Sequence, residues 1–135
     1  MVEIVLNEIE IGAQYGDAIF DYWLFASLNN NQSIQIFDLK PLDLREYKGQ
    51  HIFCLLELYG IQQVEDESLK MEYLGVNNQI SFGTQNIEPG VYHEFRDTTG
   101  IYYAKEDELT NIKLENGKYY SFKIDRFDLI AFNLK

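Results

Sequence analysis

The chain has 135 residues, the size of one domain with a core that needs no metal or disulfide to hold it. Its net charge is −11, and acids outnumber bases in both halves, so no basic stripe is present to meet phosphates; this argues against nucleic-acid and anionic-membrane partners. Ten Tyr, nine Phe and one Trp favour pleated, half-buried surfaces and hence a β fold.

Residues 2–11 alternate in hydropathy with a phase slip. Val2, Ile4 and Leu6 share one face, whereas Ile9 and Ile11 fall on odd positions. One extra residue near Asn7-Glu8 restores a single apolar face, which predicts a β-bulge and a bent first strand. Gly12 to Asp17 reads as a turn. Residues 18–28 read as a second strand with Ala18, Phe20, Tyr22, Leu24, Ala26 and Leu28 on its even face. The polar stretch Asn29 to Gln32 predicts a turn into a third strand at 33–37, and the pair forms a hairpin. Pro41 suits a first helical position and Lys48-Gly49 a helix end, so a short helix is expected at 41–47 with Leu42 and Tyr47 as plugs.

Gln50 to Gly60 follows. The unbroken apolar run Ile52 to Leu56 predicts a central strand covered on both faces. Residues 61–68 read as a loop. Weak alternation at Leu69, Met71 and Tyr73 predicts a strand, and Ile80 and Phe82 a short one. Val91, His93 and Phe95 alternate, as do Ile101 and Tyr103, across the turn Asp97 to Gly100; this predicts a hairpin in which Gly100 takes positive φ. Near the C-terminus, a three-residue loop Glu115-Asn116-Gly117 pairs 112 with 120 and keeps Ile112, Leu114, Tyr120, Phe122 and Ile124 on one face. Residues 127–134 are expected to form a last strand.

These elements predict a single all-β domain over 1–135, antiparallel and strongly bent, with one short helix and extra C-terminal hairpins. The order strand, strand, strand, short helix, strand over residues 1–60 resembles that of the OB-fold, a small Greek-key barrel, so a partly open OB-like barrel is expected.

Chemistry-bearing motifs are sparse. The only cysteine, Cys54, lies inside the apolar run and His51 falls on the opposite strand face, so a buried, inert thiol is expected rather than a nucleophile. With His51 and His93 the only histidines, no Cys/His metal set is assembled, and no cofactor is expected. Asp21 interrupts an apolar strand, and Asp125 and Asp128 flank Arg126-Phe127; a carboxylate on a barrel wall can do acid–base work, but one facing solvent or pairing with an arginine is the more common case. The start Met1-Val2-Glu3 lacks a basic stretch followed by an apolar one, and no apolar run approaches membrane-helix length; a cytoplasmic protein is expected.

Two acidic triplets, Glu65-Asp66-Glu67 and Glu106-Asp107-Glu108, lack calcium-loop spacing. Adjacent tyrosines, Tyr102-Tyr103 and Tyr119-Tyr120, point to opposite faces of a strand, so one of each pair is expected to leave the core. The triplets with Tyr102 and Tyr103 define a candidate surface for a basic protein partner, as in an immunity or inhibitor protein that neutralises a toxin. The alternative is a small-ligand barrel with Trp23, Phe25 and Phe53 lining an apolar cavity. An enzyme ranks third, for want of a catalytic constellation.

Overall fold

The computed structural model of the chain describes residues 1–65, 69–83, 85 and 87–135. The chain is nearly all β. Its strands are β1 (Val2–Ile11), β2 (Gln14–Tyr15), β3 (Ala18–Ile19), β4 (Tyr22–Leu28), β5 (Ser33–Asp38), β6 (His51–Gln63), β7 (Lys70–Asn77), β8 (Tyr92–Asp97), β9 (Gly100–Lys105) and β10 (Tyr119–Leu134). Eight of them form one sheet in the order β1-β4-β5-β10-β6-β9-β8-β7, and β2 pairs with β3 alone.

Two further pairings close this sheet on itself. The β1–β6 pair completes a circuit β1-β4-β5-β10-β6, and the β10–β7 pair completes a second circuit β10-β6-β9-β8-β7. The circuits share β6 and β10. The expected antiparallel sheet is thereby corrected, because β5 runs parallel to β10 and β6 parallel to β9. The reason is parity. Strand direction cannot alternate all the way around a ring of five, so each circuit must contain a parallel neighbour.

The bulge in β1 is present, with pairing to β4 shifting between Leu6 and Glu8, and Val2, Ile4 and Leu6 are buried. The predicted strand 18–28 is divided. Phe20 is exposed, and Asp21 accepts a hydrogen bond from the Ala13 amide at 2.7 Å, so the chain turns there before β4 begins. The expected helix at 41–47 is a single 3-10 turn, Arg45–Tyr47. The buried Asp38 carboxylate accepts hydrogen bonds from the amides of Leu42 (2.7 Å) and Asp43 (2.9 Å), and Asp43 takes φ +60°, which breaks a helical path. The fully buried plug is Leu44, with Leu42 and Tyr47 packed partly buried beside it.

β6 is the central strand. Ile52, Cys54, Leu56 and Leu58 enter the main core, while Leu55 enters a second cluster on the other face with Tyr92, Tyr103, Ile130 and Ala131. Ile80 and Phe82 pack against this second cluster; in place of a strand, Phe82 bridges locally to Gln85, whose side chain accepts a hydrogen bond from the Phe132 amide of β10 (3.1 Å). The β8–β9 hairpin turns between Asp97 and Gly100 as expected, and Gly100 takes φ +143°.

The expected C-terminal hairpin does not form. Residues 110–118 hold no strand, and β10 runs unbroken through both segments assigned to separate strands. A long-range partner displaces the local one. The Gly117 amide donates to the Tyr73 carbonyl (2.8 Å) and the Tyr73 amide to the Lys118 carbonyl (2.9 Å). Ile112 and Leu114 still pack against the core.

Both long strands kink at one level. Gly60 takes φ +71° in β6, opposite Asp125 in β10, and on each strand the core-facing set changes parity there: Leu58 to Ile61, and Ile124 to Phe127. This is where the shared strands pass from one circuit to the other. Among the described residues, no helix is long and apolar enough to cross a membrane.

Candidate functional site

Of the two tyrosine pairs, Tyr119-Tyr120 sends Tyr119 out of the core, 62% exposed, whereas Tyr102-Tyr103 does not divide in this way. Tyr102 is 2% exposed and Tyr103 is 6% exposed. They do point to opposite faces, but both faces of β9 are covered, Tyr102 by the main core and Tyr103 by the second cluster. Burial pushes the Tyr102 hydroxyl up to about 12, and it lies 2.7 Å from the Thr99 hydroxyl. Trp23, Phe25 and Phe53 alternate with the buried residues of their strands and stand on the outer face of the first circuit, so they do not line an interior cavity. The interior behind them is filled by Leu24, Ala26, Ile52 and Cys54. Burial raises the Cys54 thiol to about 12, far from a reactive thiolate.

Glu65 is exposed at the exit of β6; Asp66 and Glu67 lie outside the described residues. Glu106, Asp107 and Glu108 form a 3-10 turn, Glu106–Leu109, directly after β9. Glu106 and Asp107 are exposed. Glu108 turns inward, and its Oε2 accepts hydrogen bonds from the amides of Gly60 (3.0 Å) and Ile61 (3.3 Å). The β6–β9 pairing is at Glu57 with Tyr103, and beyond it the Glu108 carboxylate is the acceptor for these two amides.

This turn borders a cluster of charges on the outer face of β6, β9 and β10. Glu57 stands opposite Asp128 across the β6–β10 ladder. Lys105 Nζ lies 3.8 Å from Glu57 Oε1 and 3.6 Å from Glu88 Oε2. Arg126 donates from Nε and Nη2 to the two Asp128 oxygens at 2.5 and 3.0 Å. Its guanidinium sits between two rings, 4.3 Å from the centroid of Tyr59 and 4.6 Å from that of Phe37, and Phe37 in turn packs on Trp23 at 4.5 Å. Tyr59 is 44% exposed and is the aromatic that faces solvent here.

The Glu57 side chain is 14% exposed. Burial pushes its pKa above the ordinary carboxylate range; Lys105 opposes that shift, and Asp128, Glu108 and Glu88 add to it. Burial works against the Lys105 ammonium, but Glu57 and Glu88 outweigh it and hold its pKa above the ordinary value. Negative charge on this face thus exceeds what its two cations neutralise. Sequence reasoning passed over Glu57, although it is the only charge within Ile52 to Leu58, a position that demands a partner on the sheet surface.

For reaction chemistry the face offers carboxylates and the Lys105 amine, and of the two histidines His93 reaches its edge at Glu106. His51 is exposed near Glu3 (3.7 Å). His93 holds Nδ1 2.6 Å from the Tyr73 hydroxyl and Nε2 3.9 Å from Glu106, with Tyr73 stacked on its ring. Among the described residues, no group of three His, Cys, Asp or Glu side chains is placed to hold a metal ion. Comparison with protein-family models, curated proteins and solved structures finds no match to this chain.

Proposed function

We propose that the chain is a non-catalytic binding protein whose acidic face receives lysine or arginine side chains of a basic protein partner, in the manner of an immunity or inhibitor protein. The observation that carries this reading is Glu57: a nearly buried carboxylate with Asp128, Glu108 and Glu88 around it, its pKa raised although Lys105 stands 3.8 Å away. An incoming cation relieves that repulsion, while Tyr59 supplies an exposed ring at the margin. Glu106 and Asp107 extend the negative field outward, and the net charge of −11 speeds encounter with a basic surface. Inhibition is by occlusion of the partner. The scaffold in this reading is an OB-type barrel made of the first circuit, with residues between β6 and β10 building the second circuit as an insertion.

The test compares the native chain with the triple variant Glu88→Lys/Glu106→Lys/Asp107→Lys against a basic protein recovered on the native chain at low salt. The association rate of the variant is expected to be about tenfold lower, and the difference to shrink as salt rises. Equal rates at low salt overturn the assignment of this face.

A further inference from the structure

His93 on β8 holds the one buried side-chain polar atom, among the described residues, that lacks a hydrogen-bond partner: Nε2. Its side chain is 12% exposed. β8 is flanked on both sides, with Val76 of β7 opposite His93 on one and Ala104 of β9 on the other. The titratable groups that face the imidazole come from three elements. On β7, Tyr73 stacks on the ring with centroids 5.7 Å apart and holds its hydroxyl 2.6 Å from Nδ1. On β10, Tyr120 adds to the forces that keep the Tyr73 hydroxyl protonated, as does Glu106. On the turn after β9, Glu106 places Oε1 3.9 Å from Nε2. On β8 itself, Glu94 serves the other face, where it meets Tyr103.

A neutral imidazole carries one N–H and one lone pair, and neither tautomer pairs Nε2 here. With the proton on Nε2, the Tyr73 hydroxyl donates to Nδ1, and the Nε2–H is 3.9 Å from its nearest carboxylate oxygen, too far for a hydrogen bond. With the proton on Nδ1, a bare lone pair on Nε2 stands near a carboxylate. The imidazolium resolves both cases. Nδ1–H donates to the Tyr73 oxygen and Nε2–H donates to Glu106, a charge-assisted bond. The Glu106 side chain is 68% exposed, and a movement of about 1 Å brings Oε1 to ordinary hydrogen-bond distance.

We propose that His93 and Glu106 form a proton-operated latch: protonation of His93 draws the Glu106 carboxylate inward and fastens the acidic turn Glu106–Leu109 to β8. The turn is already anchored at Glu108, which accepts from the Gly60 and Ile61 amides, so closure moves one side chain on a fixed base. The latch works over the range in which imidazoles titrate, about pH 5 to 8. Closed, it cancels one of the two charges that Glu106 and Asp107 present outward. On the binding-protein reading, on which this consequence alone rests, acid therefore weakens the pull on a basic partner.

The test needs no partner. His51, exposed on β6, serves as the reference in the same sample, because the chain has only two histidines. In NMR titrations from pH 8 to pH 5.5, the His93 ring signals and the Glu106–Glu108 amides are expected to move along one curve. Glu106→Gln is expected to lower the His93 midpoint by at least half a pH unit and to leave that of His51 in place. The latch is overturned if the His93 ring stays neutral down to pH 5.5, if the turn amides do not follow it, or if Glu106→Gln leaves its midpoint unchanged. Loss of the β8 amide signals on protonation overturns it too, since a latch that closes keeps the strand paired. A latch that titrates as expected, with partner association equally fast at pH 8 and pH 5.5, stands and removes Glu106 from the binding face instead.

Discussion

Gly60 shows how one residue serves two circuits. Its φ of +71° lies in the left-handed region, and a Cβ there would overlap the Asp125 carboxylate on the facing strand. Gly60→Ala combines a strained backbone with that clash, so it is expected to destabilise the chain by roughly 2–3 kcal/mol in urea titrations. A loss below about 0.5 kcal/mol would show that the kink tolerates a side chain. Glu57 makes a pH prediction of defined sign. Its folded-state pKa is raised, so its protonated form favours the fold, and that contribution is lost as pH climbs from the ordinary carboxylate range through the raised value. Glu57→Gln mimics the protonated group. The variant is therefore expected to melt above the native chain at pH 7–8 and level with it near pH 4. A variant that melts lower at pH 7 would mean that the Lys105 contact outweighs the burial of charge.

At the scale of elements, periodicity was informative wherever a strand has one covered face. The even sets of β4 and β5, the phase slip in β1 and the β8–β9 hairpin were all legible in this way. It failed where a distant partner decided the outcome. Residues 112–124 carry a sound local hairpin pattern, yet Lys118 bonds Tyr73 and the strand instead runs to Leu134. The candidate site failed for a related reason. Alternation shows that Tyr102 and Tyr103 face opposite ways, but not that both sides of β9 are covered. The acidic turn Glu106–Leu109 was legible as charge, whereas its link to Glu57 and Asp128 depends on β6–β10 register. The segment after β5 gives a test of a local device that overrode helical signals. Asp38→Ala removes two hydrogen bonds to the Leu42 and Asp43 amides in a buried place, and is expected to cost about 2 kcal/mol, with Asp38→Asn recovering part of it. Equal stability of Asp38→Ala and the native chain would leave the lost helix without its explanation.

For the molecule as a whole, the decisive fact is that neither circuit owns its strands. β6 and β10 supply two of the five strands to each, and their pairing runs from Phe122–Gln63 to Leu134–Ile52 across both. Opening one circuit strips partners from the strands that close the other, so the two are expected to unfold together in spite of the kink between them. The chain provides its own reporters. Trp23, the only tryptophan, lies in the first circuit, whereas Tyr73, Tyr92, Tyr102 and Tyr103 lie in the second. Tryptophan fluorescence and near-ultraviolet tyrosine dichroism are expected to give one urea midpoint. Separate midpoints, with the tyrosine transition at lower urea, would show instead that the residues between β6 and β10 form a unit that melts independently of the strands it shares.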